Sequence, residues 1–165
     1  MKTIFRLVLL AALAALGFCL WVVLFPSPEK VIRSRLADLA RTATFGAKDS
    51  AIARGLKAQR LANFFSADAQ LIFDAPGVGQ RTLTGREEIK ETAAAGFQSL
   101  PTLGVEFLDV NIRLDAARRS AEVSLTAKVR SGDSKDFGVQ EMRFILKKVE
   151  GKWLIVRIET VQTLS

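Results

Sequence analysis

Histidine and tyrosine are absent from this chain of 165 residues, and its single cysteine is Cys19. Each absence closes a branch of chemistry. Without His there is no Ser-His or Cys-His dyad, no zinc site of the usual ligand sets and no haem attachment motif. One Cys cannot build a disulfide framework within the chain. Without Tyr there is no phenol to orient a polar ligand or hold an oxyanion. No metal and no cofactor are therefore expected. What the chain does have is positive charge, with 24 Lys+Arg against 17 Asp+Glu and a pI of about 10.0. Its mean hydropathy is nevertheless positive, at +0.21. A basic surface attracts nucleic acid, anionic membrane or acidic partners, and the length fits one domain with a buried core.

The apolar excess is concentrated near the start. Leu7 to Phe25 is a run of 19 residues without a charge, preceded by Lys2 and Arg6 and ended by Pro26. A run of that length just spans the hydrocarbon layer of a bilayer, and Trp21 and Phe25 suit its far interface. A cleaved secretory signal would need a shorter run and small residues at the cut, whereas Phe25-Pro26-Ser27 is bulky. Phe18 before Cys19 likewise disfavours a lipoprotein site. The expectation is a basic tail (1–6), an uncleaved signal-anchor helix (7–25) and an exported domain (28–163), on the periplasmic side in a bacterium. Lys30, Arg33 and Arg35 balance Lys2 and Arg6 across the span, so the opposite orientation with a cytoplasmic domain stays open.

Charge follows the same division. Residues 26–64 hold eight cations (Lys30, Arg33, Arg35, Arg41, Lys48, Arg54, Lys57, Arg60) and three acids (Glu29, Asp38, Asp49), while residues 65–165 hold 14 of each sign. The positive excess therefore flanks the proposed membrane segment. Lys2, Arg6, Lys30, Arg33 and Arg35 are the expected contacts with anionic headgroups.

Beyond Pro26 the periodicity changes from helix to strand. Ser27-Pro28-Glu29 reads as a capped helix start, and Ile32, Leu36, Leu39 and Ala43 follow on one face towards Gly46. A second helical stretch begins at Asp49 and runs through Ile52 and Leu56 to Leu61, Phe64 and Phe65. Gly55 interrupts it, so one helix or two short ones fit equally. Ala69–Asp74 and Gln80–Leu83 read as short strands around a Pro76–Gly79 turn, and Thr84 with Glu87 as a capping box opening a helix through Gln98. Pro101 ends that helix. Val105–Leu114, the alternating stretch from Ala121 to Val129, Phe137–Val149 and Trp153–Val161 read as long strands, with a bulge near Gln140-Glu141 in the third. Helices first and a long antiparallel run after them define an α+β fold.

This order, together with Asn63-Phe64-Phe65-Ser66-Ala67-Asp68-Ala69, Asp74-Ala75-Pro76-Gly77, Gly85-Arg86-Glu87-Glu88-Ile89 and Gly151-Lys152-Trp153-Leu154-Ile155, resembles the nuclear transport factor 2-like superfamily. The SnoaL-like cyclases and ketosteroid isomerases belong to it. The resemblance covers nearly all of residues 28–163 and implies a cone, with three helices packed on a curved antiparallel sheet. It implies an inner cone where relatives hold small apolar ligands, lined here by Phe73, Phe97, Phe107, Val123, Leu125, Met142 and Phe144. With eleven Phe and no Tyr in the chain, a core filled by these side chains is the other reading. Membrane-anchored proteins of this fold in bacterial secretion complexes provide the architectural parallel.

Carried over residue by residue, the family's catalytic groups mostly fail. Where the isomerases place a strand carboxylate this chain has Phe73 or Asp74, their Tyr is missing, and Gln140 stands about where their protonated acid lies. The His-Asp pair of dehydrating and cyclising relatives is impossible. Asp74 and Gln140 are the only weak catalytic candidates, and a turn-initiating Asp is the simpler role for Asp74. In the last strand Leu154, Val156 and Ile158 are expected inside. That places Trp153, Ile155, Arg157 and Glu159 on the outer face with Arg143 and Ile145. Cross-strand charge pairs are expected there, and Ile145, Trp153, Ile155 and Arg157 form a candidate homodimer face. No nucleic-acid partner is expected, since no basic stripe with stacking aromatics occurs. The expected function is a membrane-tethered, non-catalytic binding or assembly module. The alternative is a SnoaL-like isomerase, cyclase or hydrolase acting on an apolar substrate in the cone.

Overall fold

The computed structural model describes residues 27–75, 79–132 and 137–161, with only the backbone described at Asp74 and Ala75. The expected anchor at 7–25, with Lys2, Arg6 and Cys19, lies outside the described residues. Among those that are described, no helix is long and apolar enough to cross a membrane.

Ser27 caps the first helix as its sequence predicts. Its hydroxyl accepts the Lys30 N–H, Pro28 occupies the first helical position, and α1 runs Pro28–Ala43. Helix α2 (Ala51–Ala62) is one continuous helix despite Gly55, and its cap is Ser50 rather than Asp49. It also stops earlier than expected. Phe65 belongs to strand β1 (Phe65–Ala75), where the Ser66-Ala67-Asp68 stretch forms an irregular extended segment rather than a break. Strand β2 (Gly79–Thr84) returns antiparallel to β1. Helix α3 (Arg86–Ser99) starts at Gly85, whose φ of 90° suits glycine, and no side chain caps it as the expected box required. Instead Glu88 reaches back to accept the Thr84 N–H at 2.7 Å.

Strands β3 (Leu103–Leu114), β4 (Ser120–Ser131), β5 (Gly138–Val149) and β6 (Lys152–Thr160) complete one six-stranded sheet in the order β2-β1-β6-β5-β4-β3. Its pairs are antiparallel except β1 with β6, which run parallel. The sheet is thus mixed, a correction to the all-antiparallel expectation. Glu150 and Gly151 both take positive φ (49° and 80°), the left-handed pair that a two-residue hairpin needs.

The bulges fall elsewhere than expected. Pairing of β4 with β5 is continuous through Ala127↔Gln140 and Thr126↔Glu141, so no bulge occurs there. One lies in β3 between Leu108 and Asn111, where Asp109 has φ 52°, and another in β6, where Ile145↔Arg157 is followed by Leu146↔Ile155. Val156 is the extra residue. Side chains alternate strictly along a strand, so one inserted residue reverses which face the earlier positions take. Trp153 and Ile155 are consequently only 2% and 1% exposed and pack in the core, not on the outer face. The core joins Ile32, Leu36 and Leu39 of α1 to Phe65, Val123, Leu125, Phe144, Leu146, Trp153, Ile155 and Ile158. A smaller cluster of Phe45, Ala58 and Phe97 lies between the helices.

Candidate functional site

Six of the seven residues expected to line the cone are strand residues. Strand alternation places Val123 and Leu125 of β4, and Phe144 of β5, on the inner face, where all three are buried. Phe107 and Met142 are half-buried against them, and Phe107 meets Phe144 edge-on with ring centres 5.7 Å apart. Phe73 is half-buried on β1, opposite Arg81. Phe97 does not join this set. It packs on Phe45 at 5.0 Å in the second cluster, because α3 turns that face towards α2.

Side chains of α1 fill the space above the inner face. Phe144, Ile32, Leu36, Leu146, Ile155 and Val123 are the largest fully buried side chains. The buried polar residue described is Ser66, whose hydroxyl donates to Asp68 at 2.7 Å, and among the described residues no buried side-chain N or O lacks a partner. A ligand pocket ordinarily carries a few convergent polar groups, and this interior presents none from the described residues.

Both weak catalytic candidates stand near strand ends. Gln140 is exposed, and its amide N–H donates to the carbonyls of Glu141 (3.2 Å) and Val161 (3.1 Å), tying β5 to the end of β6. The backbone of Asp74 pairs with Gln80 near the end of β1, and its side chain lies outside the described residues. Three carboxyls are held below the ordinary range, Asp49 and Asp115 beside turns and Asp68 in the irregular start of β1. The Gly46 N–H and then Lys57 do this to Asp49, the Ser66 hydroxyl to Asp68, and the Ser120 N–H to Asp115. Displacement downwards favours a permanent carboxylate, the opposite of what a general acid needs.

The outer face carries the expected charge pairs. Arg143 lies 3.3 Å from Glu122 and 3.0 Å from Glu159, which also accepts from Arg157 at 3.0 Å. Of the candidate dimer face, Ile145 and Arg157 are on this side, and Trp153 and Ile155 are not.

Of the membrane-proximal cations described, Lys30 is exposed, while Arg33 donates to the Val110 carbonyl at 3.2 Å. Arg35 turns inwards. Its Nε donates to the Trp153 carbonyl at 2.6 Å, its Nη2 to that of Asn63 at 3.1 Å, and its guanidinium lies over the Phe64 ring. Burial lowers its proton affinity, opposed by Asp38. Arg35 thus clamps α1 to Asn63 and to Trp153 of β6.

One concavity escaped the sequence reading. A groove of about 400 Å³ runs between α1 and β3, floored by Leu36, Ala37, Ala40, Phe107 and Val110, with Arg33, Arg41 and Glu106 at its rim. The small side chains Ala37 and Ala40 leave this room. Two alanines at i, i+3 on α1 are the local signal of such room, and the strand they face is set only by tertiary packing.

No protein family matches the chain by its sequence profile, and no curated protein matches it either. Solved structures do. A nuclear transport factor 2-like protein with a cystatin-like fold from Novosphingobium aromaticivorans aligns with a TM-score of 0.63 at 20% identity, over 92% of this chain and 88% of that one. A candidate scytalone dehydratase from the same organism gives 0.59 at 19% identity, over 82% and 84%. A domain of unknown function with a cystatin-like fold from Nostoc punctiforme gives 0.65 at 17%, over 86% and 80%. The chain has the nuclear transport factor 2-like fold. At these identities the likeness concerns architecture alone.

Proposed function

We propose that this chain is a membrane-tethered, non-catalytic binding or assembly module of the nuclear transport factor 2-like fold. The observation that carries the reading is the interior. The inner face of the sheet is packed against Ile32, Leu36 and Leu39, and among the described residues it presents no convergent polar groups to orient a substrate. The uncharged run from Leu7 to Phe25 supplies the tether, and export of the domain is the orientation favoured by Lys2 and Arg6. Binding then falls to the surface. The groove between α1 and β3 has the size and apolar floor for a small apolar ligand. The outer face of β5 and β6, around Ile145 and Arg157, is the place for a second copy.

A second reading, a SnoaL-like enzyme, draws on the likeness to the candidate scytalone dehydratase and needs Asp74 with Gln140. Replacing both separates the two readings. Asp74→Asn with Gln140→Leu in the full chain is expected to restore the phenotype of cells lacking the protein as fully as the native sequence does. Loss of complementation by a stably folded double variant would overturn the non-catalytic reading.

A further inference from the structure

Helix α2 is built inside out. Its inward side carries the buried Ala58 and Ala62, together with the cations Arg54 and Lys57. Arg54 donates to the carbonyls of Phe97, Leu100 and Pro101 at 3.0, 2.6 and 2.8 Å, and Lys57 to that of Thr44 at 2.8 Å. Two of its three large aliphatics face the other way, Ile52 being 77% exposed and Leu56 51%. A helix of a water-facing domain normally has the reverse arrangement, with aliphatics inwards and long cations outwards. At about 100° per residue, Gln59, Arg60 and Asn63 share the outward side with Ile52 and Leu56, and all three are exposed. Lys48 stands exposed in the turn just before the helix, and α2 itself contains no acid.

The surroundings indicate what meets this face. Helix α2 packs on α1 and α3 rather than on the sheet. It runs antiparallel to α1, since Arg35 of α1 reaches Asn63 at its end while Lys57 reaches Thr44 just past the end of α1. Lys30 of α1 is exposed as well, whereas Arg33 and Arg41 line the groove towards β3, Arg33 donating to Val110 and Arg41 partnered by Asp38 at 2.9 Å. The uncharged run of the chain ends at Phe25, two residues before the Ser27 cap of α1. Outward aliphatics flanked by cations, on a helix that bears no acid, complement an anionic lipid surface.

We propose that α2 is a second membrane contact. Ile52 and Leu56 enter the headgroup layer of an anionic bilayer, Lys48 and Arg60 lie against lipid phosphates, and the domain rests on its helical side with the outer face of the sheet turned to water. This inference rests on the membrane tether, and the test separates the two. The full chain in a Cys19→Ser background is labelled with an environment-sensitive fluorophore at Ile52→Cys, at Leu56→Cys, or at Ser124→Cys on the outer sheet face. It is reconstituted into vesicles of brominated phosphatidylcholine, with or without about 30% phosphatidylglycerol. Labels at 52 and 56 are expected to be quenched several-fold more strongly in the anionic vesicles, while the label at 124 stays hydrated in both. Lys48→Glu with Arg60→Glu is expected to abolish the difference, while circular dichroism confirms that the helices persist. If the chain floats with the vesicles and labels 52 and 56 stay hydrated, the second contact is wrong and the tether stands. If the chain does not float with the vesicles, the tether fails and this inference with it. Shielding of 52 and 56 that is indifferent to lipid charge would assign the face to a protein contact and overturn the proposal.

Discussion

Arg54, Arg35 and Arg86 aim their guanidinium groups at backbone carbonyls that helix ends and strand irregularities leave without partners. The last carbonyls of a helix have no intrahelical donor, and Arg54 supplies one to Phe97, Leu100 and Pro101 at the close of α3 while lying over the Phe45 ring. Arg86 donates twice to the Phe65 carbonyl, at the irregular start of β1. Lysine cannot substitute, because an ammonium lacks the planar fork that reaches several acceptors at once. Arg54→Lys is expected to cost about 2 kcal/mol, the net worth of one or two charge-assisted bonds. A fall in the urea midpoint at unchanged slope would show it, and a midpoint equal to that of the native chain would refute the clamp. Four of the eight cations in residues 26–64 (Arg33, Arg35, Arg54, Lys57) donate to backbone carbonyls in this way. The positive charge available to a membrane is correspondingly smaller than the sequence count, and it is displayed by other residues.

At the scale of elements, β6 shows how one inserted residue reassigns a face. With Val156 out of register, Trp153 and Ile155 enter the core and Arg157 remains outside beside Ile145. Trp153→Ala is therefore expected to destabilise the fold by about 3–5 kcal/mol without changing the oligomeric state. Ile145→Glu should leave stability nearly intact and dissociate any dimer. Thermal unfolding and sedimentation of both variants check the assignment. A Trp153→Ala chain that is stable but monomeric where the native chain is dimeric would return Trp153 to the outer face. Helix α2 teaches a related lesson, since its sequence carries two competing faces. Ile52 and Leu56 define one, and Ala58, Leu61 and Ala62 the other. Periodicity alone favoured the bulkier residues, whereas the packing on α1 and α3 takes the alanines, which allow close approach.

For the whole molecule, the sheet has two edges and the chain treats them differently. Along β3, Phe45 exchanges hydrogen bonds of 2.8 and 3.0 Å with Leu103, and Arg33 donates to Val110, so α1 and the turn after it close that edge. The other edge is β2, which is short and carries Gln80 and Arg81 exposed, a device against unwanted strand pairing. Charge is also distributed along the molecule, with an excess before residue 65 and balance after it. Lys30, Arg33 and Arg35 balance Lys2 and Arg6 across the uncharged run, so the export proposed above is decided by experiment and not by this layout. A periplasmically active reporter fused after Ser165 should be on and a cytoplasmically active one off, and the reverse pattern would invert the topology.

Much of this architecture follows from sequence because it is set by local physics. The cap at Ser27, the amphipathic face of α1 and the alternation of β4 depend on residues within a few positions of one another. That local order was enough to anticipate the nuclear transport factor 2-like fold. The site was less legible. Five of the expected cone residues meet (Phe107, Val123, Leu125, Met142 and Phe144), but Phe97 joins another cluster, and the groove beside Ala37 and Ala40 was not foreseen. What the tertiary structure decided were the parities and the orientations. The bulge at Val156, the inversion of α2 and the inward turn of Arg35 each depend on partners far along the chain, Arg35 on Trp153 among them. A periodic pattern states that a face exists, and only the packing energy of distant segments selects which face is buried.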